Sequence, residues 1–150
     1  MLLRWILAAL HLLALGIGLG SIIERARGLG AVQRDPGAVS RVLFADSLWG
    51  VAALVWIVTG AWRAFGGVEK GSAYYLAEPS FHAKMGLLLV ILLLELWPMI
   101  TLVRWRIALG KRQALDLSRA PLFARISWIQ ALLTVGMVFA ATAMARGIRW

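Results

Sequence analysis

Four apolar blocks, separated by Gly, Pro and charge, run the length of the chain, and each exceeds the roughly 20 residues needed to cross a bilayer as a helix. The first covers 2–23 and ends in Glu24-Arg25-Ala26-Arg27. The second covers 36–65. It opens at Asp35-Pro36, an N-cap followed by proline at the first helical position, and stops at Gly66-Gly67. It is longer than a bilayer requires, so its first turns are expected in water or among headgroups. The third covers 79–106, with Pro79 at its start and Gly110 as its terminator, and Pro98 inside it predicts a kink. The fourth covers 120–144, opening at Ser118 to Pro121. The pattern predicts an all-α fold: one domain over 1–150, a polytopic membrane four-helix bundle. Met1-Leu2-Leu3-Arg4 has the look of a signal-peptide start. The apolar run behind it is too long for an h-region and no A-x-A site closes it, which predicts an uncleaved first span.

Composition sharpens this picture. The 150 residues are 61% hydrophobic, with mean hydropathy +0.81, above the roughly half-apolar content of a soluble domain. There is no Cys, which excludes disulfides, thiolate catalysis, iron–sulfur clusters and thiolate zinc sites. The net charge of +9 does not imply nucleic acid, because the Arg and Lys residues flank the apolar blocks and no polar domain is present to carry such a site. The first and third loops with their flanks hold Arg25, Arg27, Arg34, Arg41, Arg104, Arg106, Lys111, Arg112, Arg119 and Arg125, ten in all; the other side holds Arg4, Arg63, Lys70, Arg146 and Arg149, five. The positive-inside rule then predicts those loops in the cytoplasm and both termini outside, in a multi-pass protein of the inner (plasma) membrane. Trp5, Trp62, Tyr74, Tyr75 and Trp150 fall at the expected outer boundary, and Trp49, Trp105 and Trp128 at the inner one, as interfacial belts. Trp56 lies mid-span, as a packing residue or the neighbour of a cofactor.

The ionisable residues at depth carry the candidate chemistry, since a charge near mid-membrane costs roughly 2.5–3.5 kcal/mol even on insertion scales. They sort into two layers. His11, Lys84 and Arg63 lie towards the outer side, and His11 and Lys84 are expected to face one another. Asp46, Glu95 and Arg125 lie nearer the cytoplasm, either as an ion network that ties three helices or as part of a proton or ion path. Lys84 and Glu95 are 11 positions apart, so they share a face of one helix about 16 Å apart. His11 either donates to a neighbouring backbone carbonyl or serves as a ligand; neutral imidazole is an inexpensive metal ligand to bury. Gly18 sits seven residues on, on the same side, and Gly16 and Gly20 form a G-x-x-x-G pair that serves helix packing, self-association or the close approach of a flat porphyrin. No nucleotide loop, H-E-x-x-H motif or nucleophile elbow is present, and His82 and Lys84 diverge around a helix too far to share a metal.

Ala9-Leu10-His11 opening the first span, Phe81-His82-Ala83-Lys84-Met85 opening the third and Gly60-Ala61-Trp62 ending the second resemble the bacterial membrane protoporphyrinogen oxidases called HemJ. That resemblance implies a membrane oxidoreductase with haem b. It implies His11 as an axial ligand and Lys84 as the catalytic residue. On a haem reading of the residues themselves, Lys84 or Arg63 neutralises the acidic groups of a tetrapyrrole and Gly18 lies beside the macrocycle. A second resemblance extends over nearly the whole chain. Trp49-Gly50 with Trp56-Ile57 and Thr59-Gly60, Glu69-Lys70-Gly71 with Tyr74-Tyr75, and Glu95-Leu96-Trp97-Pro98-Met99 are similar to a bacterial family of predicted membrane proteins of unassigned activity (domain of unknown function 2214). The expected partners are the bilayer, a tetrapyrrole and a second copy of the chain. The competing expectation is a non-catalytic membrane protein or a small ion or proton transporter that uses Asp46, Glu95 and Arg125.

Overall fold

A computed structural model describes residues 1–67 and 71–147; Glu69 and Lys70 of the second resemblance, Arg149 of the charge count and Trp150 of the outer belt lie outside the described residues. The elements are α1 (Leu2–Ala31), α2 (Ala38–Phe65), α3 (Ser72–Ala77), α4 (Pro79–Gly110) and α5 (Ala120–Arg146). All except α3 are long and apolar enough to cross a membrane. The chain is inside out relative to a soluble domain. Leu12, Phe44, Leu89, Leu132 and Phe139 are exposed, while the interior is lined with Ala14, Ala26, Ala45, Ala52, Ala131 and Ala140. Small interior residues let helices approach where lipid supplies no hydrophobic drive.

The helix ends follow local chemistry. The turn after α1 is held by Asp35, whose Oδ1 accepts the Gly37 N–H at 2.9 Å, and whose Oδ2 takes Arg41 Nη2 at 2.8 Å. Extended Glu78 and Pro79 start α4, and Gly147 at φ 66° closes α5. Asp116 Oδ1 accepts the Ser118 N–H at 3.0 Å just before α5. Three spans run past their expected limits: α1 continues to Ala31, α4 to Gly110, passing through buried Pro98, and α5 to Arg146, while α2 starts at Ala38 with Gly37 as its N-cap and not at Pro36. The short α3 has no counterpart in the apolar pattern. It is a six-residue turn, too brief to show a period.

Around the bundle the order is α2, α1, α5, α4. Helix α1 packs along both α2 and α5, α5 packs along α4, and α2 and α4 make little direct contact. This leaves a seam between α2 and α4. Three clusters fill the rest: Leu29, Val42, Leu102, Trp105 and Phe123 towards the loop end; Ile22, Trp49, Ile91 and Met137 in the middle; Ala64, Tyr75 and Phe81 towards the end that bears the termini. Trp49, Trp105 and Tyr75 therefore belong to the core and not to interfacial belts, because their rings fill gaps between small residues. Trp5, Trp62 and Trp128, at 69%, 50% and 43% exposed, remain on the surface.

Candidate functional site

Trp56 organises the terminal half of the seam. The His11 imidazole stacks on its indole with ring centroids 5.3 Å apart and an interplanar angle of 23°. The Lys84 ammonium lies 5.6 Å from the centroid of the same indole. His11 and Lys84 are thus brought together, from α1 and α4, on a side chain of α2. Two further contacts fix the imidazole. His11 Nδ1 lies 3.0 Å from Thr59 Oγ1, and a Cβ at Gly60 would stand 3.0 Å from His11 Cε1. The Thr59 hydroxyl donates its one proton to backbone, to Val55 O at 2.7 Å with Trp56 O at 3.2 Å. With that proton on backbone, its oxygen accepts from His11 Nδ1–H.

Three cavities adjoin. A chamber of about 130 Å³ contains His11, Lys84, Met85 and Met137. It shares Gly60, Ala64 and Phe81 with a vestibule of about 300 Å³ lined by Arg63, Tyr74 and Tyr75. It shares Trp56, Ile57 and Leu88 with a cleft of about 310 Å³ between α2 and α4. The chamber alone is below the roughly 300–1,000 Å³ typical of ligand sites, and chamber and vestibule together fall within that range. Arg63 thus lines the adjoining space, not the chamber itself. Gly18 is elsewhere: a Cβ there would meet Ala52 and Trp49 at 3.5–3.6 Å, so its place is the close approach of α1 to α2 along the cleft. Exposed His82 turns its Nδ1–H to Glu78 O at 3.1 Å, away from the chamber. Among the described residues no three His, Asp or Glu side chains gather as they would around a metal ion. His11 and Lys84 line the chamber, and Arg63 lines the vestibule beside it.

The second layer forms with a different base. Arg25, with no exposed side-chain surface, gives Nη1 to Asp46 at 2.9 Å and to Glu95 at 2.6 Å, Nη2 to Glu95 at 2.7 Å and to Gln130 at 2.9 Å, and Nε to Ser127 at 3.2 Å. Gln130 Nε2 returns a bond to Glu95 Oε2 at 2.7 Å. Arg106 takes the other Asp46 oxygen at 2.7 Å. The expected partner, Arg125, is exposed on α5 and has no part in the cluster. A first helix over 2–23 leaves Arg25 in a loop, whereas α1 continues to Ala31 and carries Arg25 into the interior. The signal was present: His11, Gly18 and Arg25 are spaced by sevens and share one buried stripe. Ser127, Gln130 and Thr134 form a matching polar line on α5. All four long helices meet at this guanidinium.

The family model described as Predicted membrane protein (DUF2214) matches residues 3–149, and the chain belongs to that family. No curated protein and no solved structure matches it.

Proposed function

We propose that this member of the DUF2214 family binds a tetrapyrrole within the membrane, at the chamber and vestibule of the terminal half, as the cofactor of HemJ-like redox chemistry. One observation carries the reading: His11 and Lys84 meet the indole of Trp56 at the wall of one largely apolar chamber. Lys84 and Arg63 supply positive charge for the carboxylates of the ligand. Trp56, Phe81 and Met137 supply apolar walls. His11, held by Thr59, is the nitrogen for an iron. A bound haem b would supply one-electron chemistry at that position. In this reading the loop end faces the cytoplasm of a plasma membrane, since nine cations still flank it against five once Arg25 is placed inside α1. A homodimer through the outward face of α1, where Gly16 and Gly20 have open space, belongs to the same reading.

Asp46 and Glu95 support a structural role more than a conducting one. Their carboxylate oxygens are occupied by Arg25, Arg106 and Gln130, so a proton path would have to dismantle the joint that ties the helices.

The test is an absorption spectrum of detergent-extracted protein from haem-supplemented cells, followed by titration with protoporphyrin. The expected result is a Soret band that His11→Ala removes, and porphyrin affinity that Lys84→Met lowers about tenfold, roughly 1.4 kcal/mol. A featureless spectrum in the wild type, or identical spectra in wild type and His11→Ala, would overturn the reading.

A further inference from the structure

The loop half of the bundle holds arginines of two kinds. Arg25 and Arg106 engage the carboxylates of Asp46 and Glu95 on the inside, and Arg41 engages Asp35. Arg119 and Arg125 of α5 are exposed. Among the described residues, the guanidinium of neither makes an ion pair or a hydrogen bond.

Arg125 lies in a stripe of exposed α5 residues, Leu122, Arg125, Ile129 and Leu132, whose spacings of three and four put them on one face. Apart from the arginine, this is the face a helix turns to lipid. Residues 126–145 are 20 in number and carry no charge. They rise about 30 Å, the thickness of the hydrocarbon core. Arg125 therefore stands at the rim of that core, at the level of headgroup phosphates. Exposed Trp128, three residues further in, marks the same boundary.

Arg119, the N-cap residue of α5, reaches towards the same rim. Its guanidinium lies 5.1 Å from the centroid of the Trp97 ring. Trp97 is half-exposed and is set edge-on against Phe123, with centroids 5.5 Å apart. A guanidinium laid on a ring is covered on one face and keeps its edge donors for an acceptor. Arg119 and Arg125 are six residues apart, about 9 Å of rise, a span that two arginine side chains close on one phosphate.

The nearest acid in sequence does not serve them. Asp116 accepts the Ser118 N–H at 3.0 Å and forms no ion pair with Arg119. An anionic lipid brings both things the rim lacks, a phosphate for the guanidiniums and an acyl chain for Ile129 and Leu132. A zwitterionic lipid carries its own cation beside the phosphate and gains less from two more.

We infer that Arg119 and Arg125, with Trp97 as the platform for Arg119, bind the phosphate of an anionic phospholipid at the loop-end rim of α5, its acyl chain along Ile129 and Leu132. The site lies on the outer surface, apart from the chamber, and does not depend on the tetrapyrrole reading.

The experiment is native mass spectrometry of the delipidated full chain in detergent, titrated with phosphatidylglycerol and phosphatidylcholine in parallel. One retained phosphatidylglycerol is expected, bound about tenfold more tightly than phosphatidylcholine. Arg119→Gln and Arg125→Gln should each weaken it about fivefold, and the double variant should bind the two lipids equally. Arg27→Gln removes an exposed cation of α1 at the same end and should change nothing. Millimolar inorganic phosphate should not displace the lipid. Equal retention of both lipids by the wild type, or a preference that survives the double variant, would overturn the inference. So would an equal loss in Arg27→Gln, which would mean diffuse charge without a site, or displacement by inorganic phosphate, which would mean a free-anion site.

Discussion

Arg25 offers five N–H donors and makes five hydrogen bonds, all to side chains and all from within the bundle. Removing one partner of such a buried cluster leaves uncompensated charge and typically costs about 3–5 kcal/mol. Arg25→Met should therefore lower the thermal midpoint of the detergent-solubilised protein steeply, and Arg25→Lys should recover little. A compact ammonium cannot reproduce the fork that grips both oxygens of Glu95. Intrinsic fluorescence during heating checks this; a midpoint unchanged in Arg25→Met would show that the cluster is not what ties the helices. A gentler effect belongs to Asp116, outside the spans. Hydrogen bonds from Ser118, side chain first and backbone second, hold its carboxyl below the usual range, with a smaller contribution from Arg119. A depressed folded-state value means that this contribution is present above the unfolded value and lost as pH falls through the folded one. The turn before α5 should accordingly loosen only in acid. Carboxyl chemical shifts of Asp116 against pH check the sign: a folded midpoint at or above that of an unstructured peptide would contradict it.

At the scale of elements, close approach decides which helix meets which. A Cβ on Gly28 would stand 2.6 Å from Val42 Cγ2, and Val42 is fully buried, so it has little room to give. Gly28→Ala should force α1 off α2 and cost about 1–3 kcal/mol. Gly16→Ala, on the open face of the same helix, should not lower stability. Paired thermal melts distinguish the two, and equal midpoints would mean that α1 and α2 do not seat this closely. The four spans were legible because apolar length and Gly/Pro punctuation encode them directly. Pro79 marked its helix start to the residue, whereas the end of α1 was not legible, because a charged tetrapeptide reads as an exit from the membrane. Arg25 remains inside because carboxylates from α2 and α4 receive it, and a partner on another helix leaves no local mark on α1. That His11 and Lys84 lie in one layer was legible from their depth. Trp56 as the group that joins them was not, since a mid-span indole reads first as packing. Neither was the role of Thr59, whose hydroxyl resembles any other helix-interior hydroxyl until its acceptor is known.

For the whole molecule, the seam makes the bundle an open clasp. Helices α1 and α5 form the back, α2 hangs from α1, and α4 hangs from α5. The two free helices are tied to one another in the loop half. There Arg106 of α4 reaches Leu43 O at 2.8 Å, Ser47 Oγ at 2.9 Å and Asp46 Oδ2 at 2.7 Å on α2, and Arg25 bridges Asp46 to Glu95. In the terminal half α2 and α4 flank the chamber and the upper cleft, with apolar contact and the Lys84–Trp56 contact as the links between them that the structure describes. Polar ties at one end and a cavity at the other predict that the loop half holds α2 and α4 at a fixed separation and the terminal half does not. The chain has no native Cys, so spin labels can be placed without background. Labels at exposed Val58 and Leu89 should give a broad distance distribution in nanodiscs, and labels at exposed Phe44 and Val103 a narrow one. Arg106→Met, by removing three of the ties, should broaden the second pair without narrowing the first. Distributions of equal width at both ends, or a loop half indifferent to Arg106→Met, would mean that these polar ties do not set the separation of α2 and α4.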